Sequence, residues 1–221
     1  MRLNDIISNL PIYLIYLMRI PVLLLAIAVH ETAHGWAAYK LGDPTAYNQG
    51  RLTLNPLKHL DPVGALMMLF FGFGFARPVP INVRYFKHPK RDMAITALAG
   101  PVSNILLAWF GILVYVIFKK FTGSASNTFL FAVELFLQVF YMLNLGLGVF
   151  NLIPCPPLDG SRVLLVFLPT KYYFKVMQYE RYIMLGLMAL LWLGVLDRPL
   201  SLMINAVGNF LVFTVRLIPG L

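Results

Sequence analysis

His30, Glu31 and His34 spell H-E-x-x-H within PVLLLAIAVHETAHGWAAYKLG, residues 21–42. On a helix, positions i and i+4 share a face, so both imidazoles can bind one zinc ion while the carboxylate between them reaches water held there. Zinc needs at least one more protein ligand and an open position, and it lowers the pKa of its water towards about 7. Glu31 can then take a proton as general base and return it to a leaving amine. The competing reading is a pair of histidines satisfied by neighbouring polar groups. It is costly here, because the helix around the three side chains is apolar enough to lie in lipid.

The elements that must carry these residues are membrane elements. Of 221 residues 59% are hydrophobic and 12% charged, and the apolar ones gather into runs too long for the core of a globule. The expected fold is an all-α polytopic membrane protein in contact with the lipid bilayer. Residues 21–41 make a helix about 31 Å long at roughly 1.5 Å per residue, matching a bilayer core of about 30 Å. Pro21 suits its first position, and Gly42-Asp43-Pro44 stops it. Residues 6–18 read either as an interfacial helix or as the start of a longer helix kinked near Pro21. Residues 93–118 and 129–153 are clear spans, 182–196 and 199–215 weaker ones, and the Gly/Phe run 63–75 reads as re-entrant or as a tight hairpin. In all, about 5–6 transmembrane or re-entrant helices are expected. GRLTLN (50–55) and ARPVPIN (76–82) read as short β-like connectors on the cytoplasmic side. Without repeats or a low-complexity tail, 1–221 reads as a single integral-membrane domain, with a catalytic core over about 20–170 and accessory C-terminal helices over about 182–216.

The net charge of +9 sits mostly in short connectors and forms no basic stripe, so no nucleic-acid partner is expected. Connector 77–92 holds Arg77, Arg84, Lys87, Lys90 and Arg91, and connector 155–181 holds Arg162, Lys171, Lys175 and Arg181. The 119–128 connector has only Lys119 and Lys120, so the first two are assigned to the cytoplasm. Threading the spans accordingly brings the end of the 21–41 helix, the start of 93–118 and the end of 129–153 to one side.

That threading narrows the third ligand. A longer H-E-x-x-H-x-x-G-x-x-H pattern is excluded, because Ala37 and Lys40 stand where it needs glycine and histidine. Cys155 is the only cysteine, which rules out a thiol cluster. Glu134 falls near the outer end of its span, and His59 and His88 lie in connectors. Asp159, closing a proline-broken segment on the same side as His34, is the best-placed oxygen ligand.

Three motifs, HETAH at 30–34, GPVSN at 100–104 and NLIPCPPLDG at 151–160, together resemble the site-2 protease family of intramembrane zinc metalloproteases. The likeness covers roughly residues 20–170 and, with GRLTLNPLKHLDPVG (50–64) and ARPVPIN, is nearest the compact bacterial and archaeal branch without a PDZ-like domain. It implies that His30, His34 and Asp159 bind one Zn2+, that Glu31 is the catalytic glutamate, and that Asn151 steadies the substrate carbonyl or its oxyanion. It also implies that Gly100, Pro101 and Asn104 serve close packing against the zinc helix.

The expected activity is an intramembrane zinc metalloendopeptidase of the cell membrane, its site toward the cytoplasm, cutting within or near transmembrane segments of protein substrates. RLTLN and PVPIN would hold the unwound substrate by strand addition. A zinc-binding transporter or channel, or an inactive membrane scaffold, is the alternative; Glu31 is indispensable only to the protease. His59 and Asp61 read as a loop hydrogen-bond pair, and Ser201, Asn205 and Asn209, at four-residue spacing, as interhelical hydrogen-bonding groups.

Overall fold

The computed structural model describes residues 12–61, 64, 76–123 and 127–220. Helix α1, Ile12–Lys40, runs through Pro21 in one piece, so its first turns prolong the expected 21–41 helix. Helix α2, Pro89–Thr122, opens on a proline in its first turn and stops at Gly123, whose φ of 63° ends the helical path. The Asp92 carboxylate caps its start by accepting the His88 N–H at 2.9 Å. Helix α3, Thr128–Asn151, begins where the Asn127 side chain accepts the Leu130 N–H and ends before the proline cluster. Four further helices follow: α4 (Asp159–Leu165), α5 (Thr170–Gln178), α6 (Glu180–Trp192) and α7 (Asp197–Arg216).

Four helical stretches are long and apolar enough to cross a membrane: Leu17–Lys40, Pro89–Thr122, Thr128–Asn151 and Asp197–Arg216. The chain is a multi-pass membrane protein, but the count of 5–6 is not met among the described residues. Helix α6 has 13 residues, about 20 Å at roughly 1.5 Å each, short of the bilayer core. The Gly/Phe run 63–75, apart from Gly64, lies outside the described residues.

The β-like connectors are not strands either. Among the described residues, 50–55 makes no bridge, and Ala76 of the second connector makes one isolated antiparallel bridge, to Leu60. Pro78 and Pro80 have no N–H to give to a ladder. Side chains pin the 76–82 segment instead. Buried Arg51 donates to the carbonyls of Arg77 (2.7 Å) and Pro78 (3.2 Å), the Arg77 N–H reaches the His59 carbonyl (2.8 Å), and the Asn82 N–H reaches Asp43 (2.6 Å).

Helix α2 lies antiparallel to both α1 and α3. Contacts run from His34–Thr96 to Ala26–Asn104 along α1, and from Asn104–Asn144 to Lys119–Glu134 along α3. The end of α1, the start of α2 and the end of α3 therefore share one side, as the charge pattern required. Helix α7 closes an apolar cluster of Ala108, Ile112, Leu145, Val149, Leu211 and Val215. It meets α2 at Thr214, whose hydroxyl oxygen accepts the Trp109 Nε1–H at 3.1 Å. Ser201 bonds within its own helix and Asn205 and Asn209 are exposed, because the packed stripe runs through Leu200, Ile204, Val207, Leu211 and Val215 instead.

Candidate metal centre

Helix α1 places His30 and His34 one turn apart, with Nε2 atoms 3.0 Å from each other. The proline-broken turn after α3 returns Asp159 to them, its Oδ2 lying 3.1 Å from His30 Nε2 and 3.3 Å from His34 Nε2. Two glycines make this convergence possible. A Cβ on Gly100 of α2 would run into His34 Nε2 and lie 2.6 Å from His30 Nε2. A Cβ on Gly160 would collide with the Leu152 carbonyl and lie 2.7 Å from the Ile153 oxygen. The start of α4 thus sits against the end of α3 only because Gly160 has no side chain.

Both histidines are buried, and their outer nitrogens are taken. His34 Nδ1–H donates to the Thr96 carbonyl at 2.7 Å, and His30 Nδ1 meets Asn104 Oδ1 at 2.5 Å. The inner nitrogens are therefore free to present lone pairs, which with the Asp159 oxygen make three donors converging on one point. The three ligand atoms all lie within 4.8 Å of one another. Two imidazolium charges at such a separation would repel, whereas one divalent cation satisfies two neutral imidazoles and a carboxylate together. The donor set, two nitrogens and one oxygen with a position left open, fits zinc.

Burial alone would push the Asp159 carboxyl up. Where the imidazoles opposite are protonated on their inner nitrogens, their hydrogen bonds and positive charge outweigh it and hold the group at about 2. Arg51, in the loop beyond α1, is shifted down, first by burial and then by Arg77. Glu31 is half-buried, and its Oε2 accepts the Val79 N–H at 2.8 Å, so the pinned 76–82 segment orients the carboxylate.

The other polar residues divide clearly. Glu134 pairs with Lys119 at 3.0 Å, far along α3 from the cluster. His59 is fully buried, its Nε2–H donating to the Thr53 carbonyl at 2.7 Å, which also receives the Thr32 hydroxyl. Asn151 stands on the last turn of α3, with its amide donating to the Leu147 carbonyl at 3.0 Å.

The model of peptidase family M50 matches residues 18–194. The chain belongs to that family. YwhC of Bacillus subtilis, named as a zinc metalloprotease, is 44% identical over 160 residues, 72% of this chain and 73% of its own length. Rip2 of Mycolicibacterium smegmatis is 30% identical over 157 residues, spanning 68% of this chain and 57% of its own. MJ0611 of Methanocaldococcus jannaschii is 31% identical over 136 residues, 61% of this chain and 62% of its own. No solved structure matches the chain. Membership in M50 agrees with the resemblance carried by the three motifs and favours hydrolysis over transport. For this M50 peptidase, sequence reasoning missed the partners of the imidazoles, Thr96 and Asn104, and the Val79 N–H on Glu31. Asn104 stood inside a recognised motif but was read as packing; the Thr96 and Val79 contacts are made by backbone, which side-chain identity does not reveal.

Proposed function

We propose that His30, His34 and Asp159 hold one zinc ion, that Glu31 is the general base and acid, and that Asn151 is an amide donor to the substrate carbonyl. The enzyme is a zinc metalloendopeptidase that cleaves peptide bonds within or near transmembrane segments of other membrane proteins. The observation that carries this is the convergence of two outward-tethered imidazoles and one carboxylate within an apolar helical bundle.

Bound zinc supplies a Lewis acid that polarises the scissile carbonyl and makes water nucleophilic near neutral pH. The Val79 N–H keeps one Glu31 oxygen engaged and leaves the other to accept the proton from attacking water. As the C–N bond breaks, Glu31 delivers that proton to the leaving nitrogen and returns to its starting charge. The second N–H of the Asn151 amide, beyond the one given to Leu147, is available to the developing oxyanion. Basic connectors 77–92 and 155–181 support a cytoplasmic position for this end of the bundle in the cell membrane. We assign catalysis to a core over about 20–170 and an accessory packing role to the helices over about 182–216, within one integral-membrane domain.

Glu31→Gln tests the assignment in purified protein with a model transmembrane substrate. Zinc content should stay at one per chain while cleavage falls by about 10²–10⁴-fold. Cleavage at the wild-type rate would refute the mechanism.

A further inference from the structure

Asn104 is fully buried, and both its amide nitrogen and its oxygen are engaged between three helices. Its Nδ2 donates to the Ala26 carbonyl of α1 and to Asn144 Oδ1 of α3, both at 3.1 Å, while its Oδ1 meets His30 Nδ1 at 2.5 Å. Asn144, also fully buried, donates its own Nδ2 to the Phe140 carbonyl at 2.9 Å.

Two backbone carbonyls set the direction of this chain. Phe140 O can only accept, so the Asn144 NH₂ faces it and the Asn144 oxygen faces Asn104. Ala26 O can only accept, so the Asn104 NH₂ faces Ala26 and Asn144. The Asn104 oxygen is then the atom left for His30, and His30 must carry its proton on Nδ1. Reversing either amide would put NH₂ groups or oxygens against their own kind.

We infer that Asn104 is a positioning residue of the metal centre: anchored through Asn144, it fixes the His30 tautomer and ring so that Nε2 presents a lone pair to zinc. This goes beyond packing of the 100–104 motif, for which Gly100 and Pro101 suffice, and it rests on the reading that His30, His34 and Asp159 bind the metal. It also gives the buried Asn144 a purpose, since its oxygen accepts from Asn104 while its amide is held by Phe140. His34 needs no such relay, because a backbone carbonyl already receives its Nδ1–H.

The test measures zinc affinity by competition with a chromophoric chelator, using the full chain in mild detergent, stripped of metal and titrated with zinc alone. Helix content and thermal unfolding of each metal-free variant are recorded alongside. Asn104→Leu keeps the volume, loses the acceptor and should bind zinc about 10–100-fold more weakly. Asn104→Asp keeps an acceptor for His30 Nδ1–H and should stay near wild-type affinity, although it loses the bonds to Ala26 and Asn144. A purely structural role predicts the opposite for aspartate, which would bury a charge and break two helix contacts. Asn144→Leu frees the Asn104 amide to turn and should weaken zinc in the same direction by a smaller factor.

Wild-type affinity in Asn104→Leu, or an Asn104→Asp as weak as Asn104→Leu, overturns the inference. If Asn104→Leu does not fold, the other two decide: Asn104→Asp retaining zinc while Asn144→Leu weakens it supports the relay, and an unaffected Asn144→Leu overturns it. His34→Ala separates the two readings. If it binds zinc as tightly as wild type, the metal assignment fails and the relay falls with it; if it loses zinc while Asn104→Leu does not, only the relay fails.

Discussion

At the residue scale, the positions of the imidazole protons decide what the site can bind. Thr96 and Asn104 take the outer N–H of each imidazole, and the inner nitrogens face the Asp159 carboxylate. The sign of the pH dependence follows. A depressed carboxyl pKa contributes stability that is complete above the unfolded value of about 3.9 and is lost only as pH falls through about 2. Because imidazole ligands must be neutral to bind metal, protons compete with zinc for them and acid releases it. Affinity should fall steadily as pH drops from neutral towards about 4, with protons taken up as metal leaves. Zinc affinity that stays flat over that range, measured with a chelator whose own titration is corrected, would contradict this arrangement. The HETAH spacing made the paired imidazoles legible at once, because helical geometry puts positions i and i+4 on one face. The acceptors behind the ligands were not legible, since Thr96 and Asn104 lie 62 and 74 positions away and meet them only through packing.

At the element scale, close approach of α2 to α1 matters most. Gly100 lies against the inner nitrogens of both histidines, so Gly100→Ala has no place for its methyl group without moving a ligand. We expect Gly100→Ala to insert and keep its helix content while losing most of its bound zinc, read by metal analysis after purification; full zinc retention would show that the helices can part without harm. The helix boundaries were largely legible, since 93–118 falls within the observed Pro89–Thr122 and 129–153 overruns the end of Thr128–Asn151 by two residues. The connectors were not. GRLTLN and ARPVPIN carry alternating apolar residues that resemble strands, but two prolines deny the second a ladder, and Arg51, Asp43 and Glu31 hold it through its backbone instead. The stripe on α7 was misread by one position, which moves a residue about 100° around a helix.

At the scale of the whole molecule, the site lies within a bundle whose outer surface is apolar, and a substrate must bring its backbone there. A transmembrane helix hides its carbonyls in its own hydrogen bonds, so it must open locally before attack. Placing Gly or Pro beside the scissile bond of a model transmembrane substrate should raise its cleavage rate, and a continuous Leu helix should resist; equal rates would contradict the need for unwinding. That the end of α1, the start of α2 and the end of α3 share one side was legible from the span order. The most direct test of the central claim is the zinc K-edge X-ray absorption spectrum of the purified protein. The account predicts a first shell of nitrogen and oxygen at about 2.0–2.2 Å with multiple scattering from two imidazoles, and the loss of that signature in His30→Ala and His34→Ala. A shell containing sulfur at about 2.3 Å, or a spectrum unchanged in those variants, would contradict it.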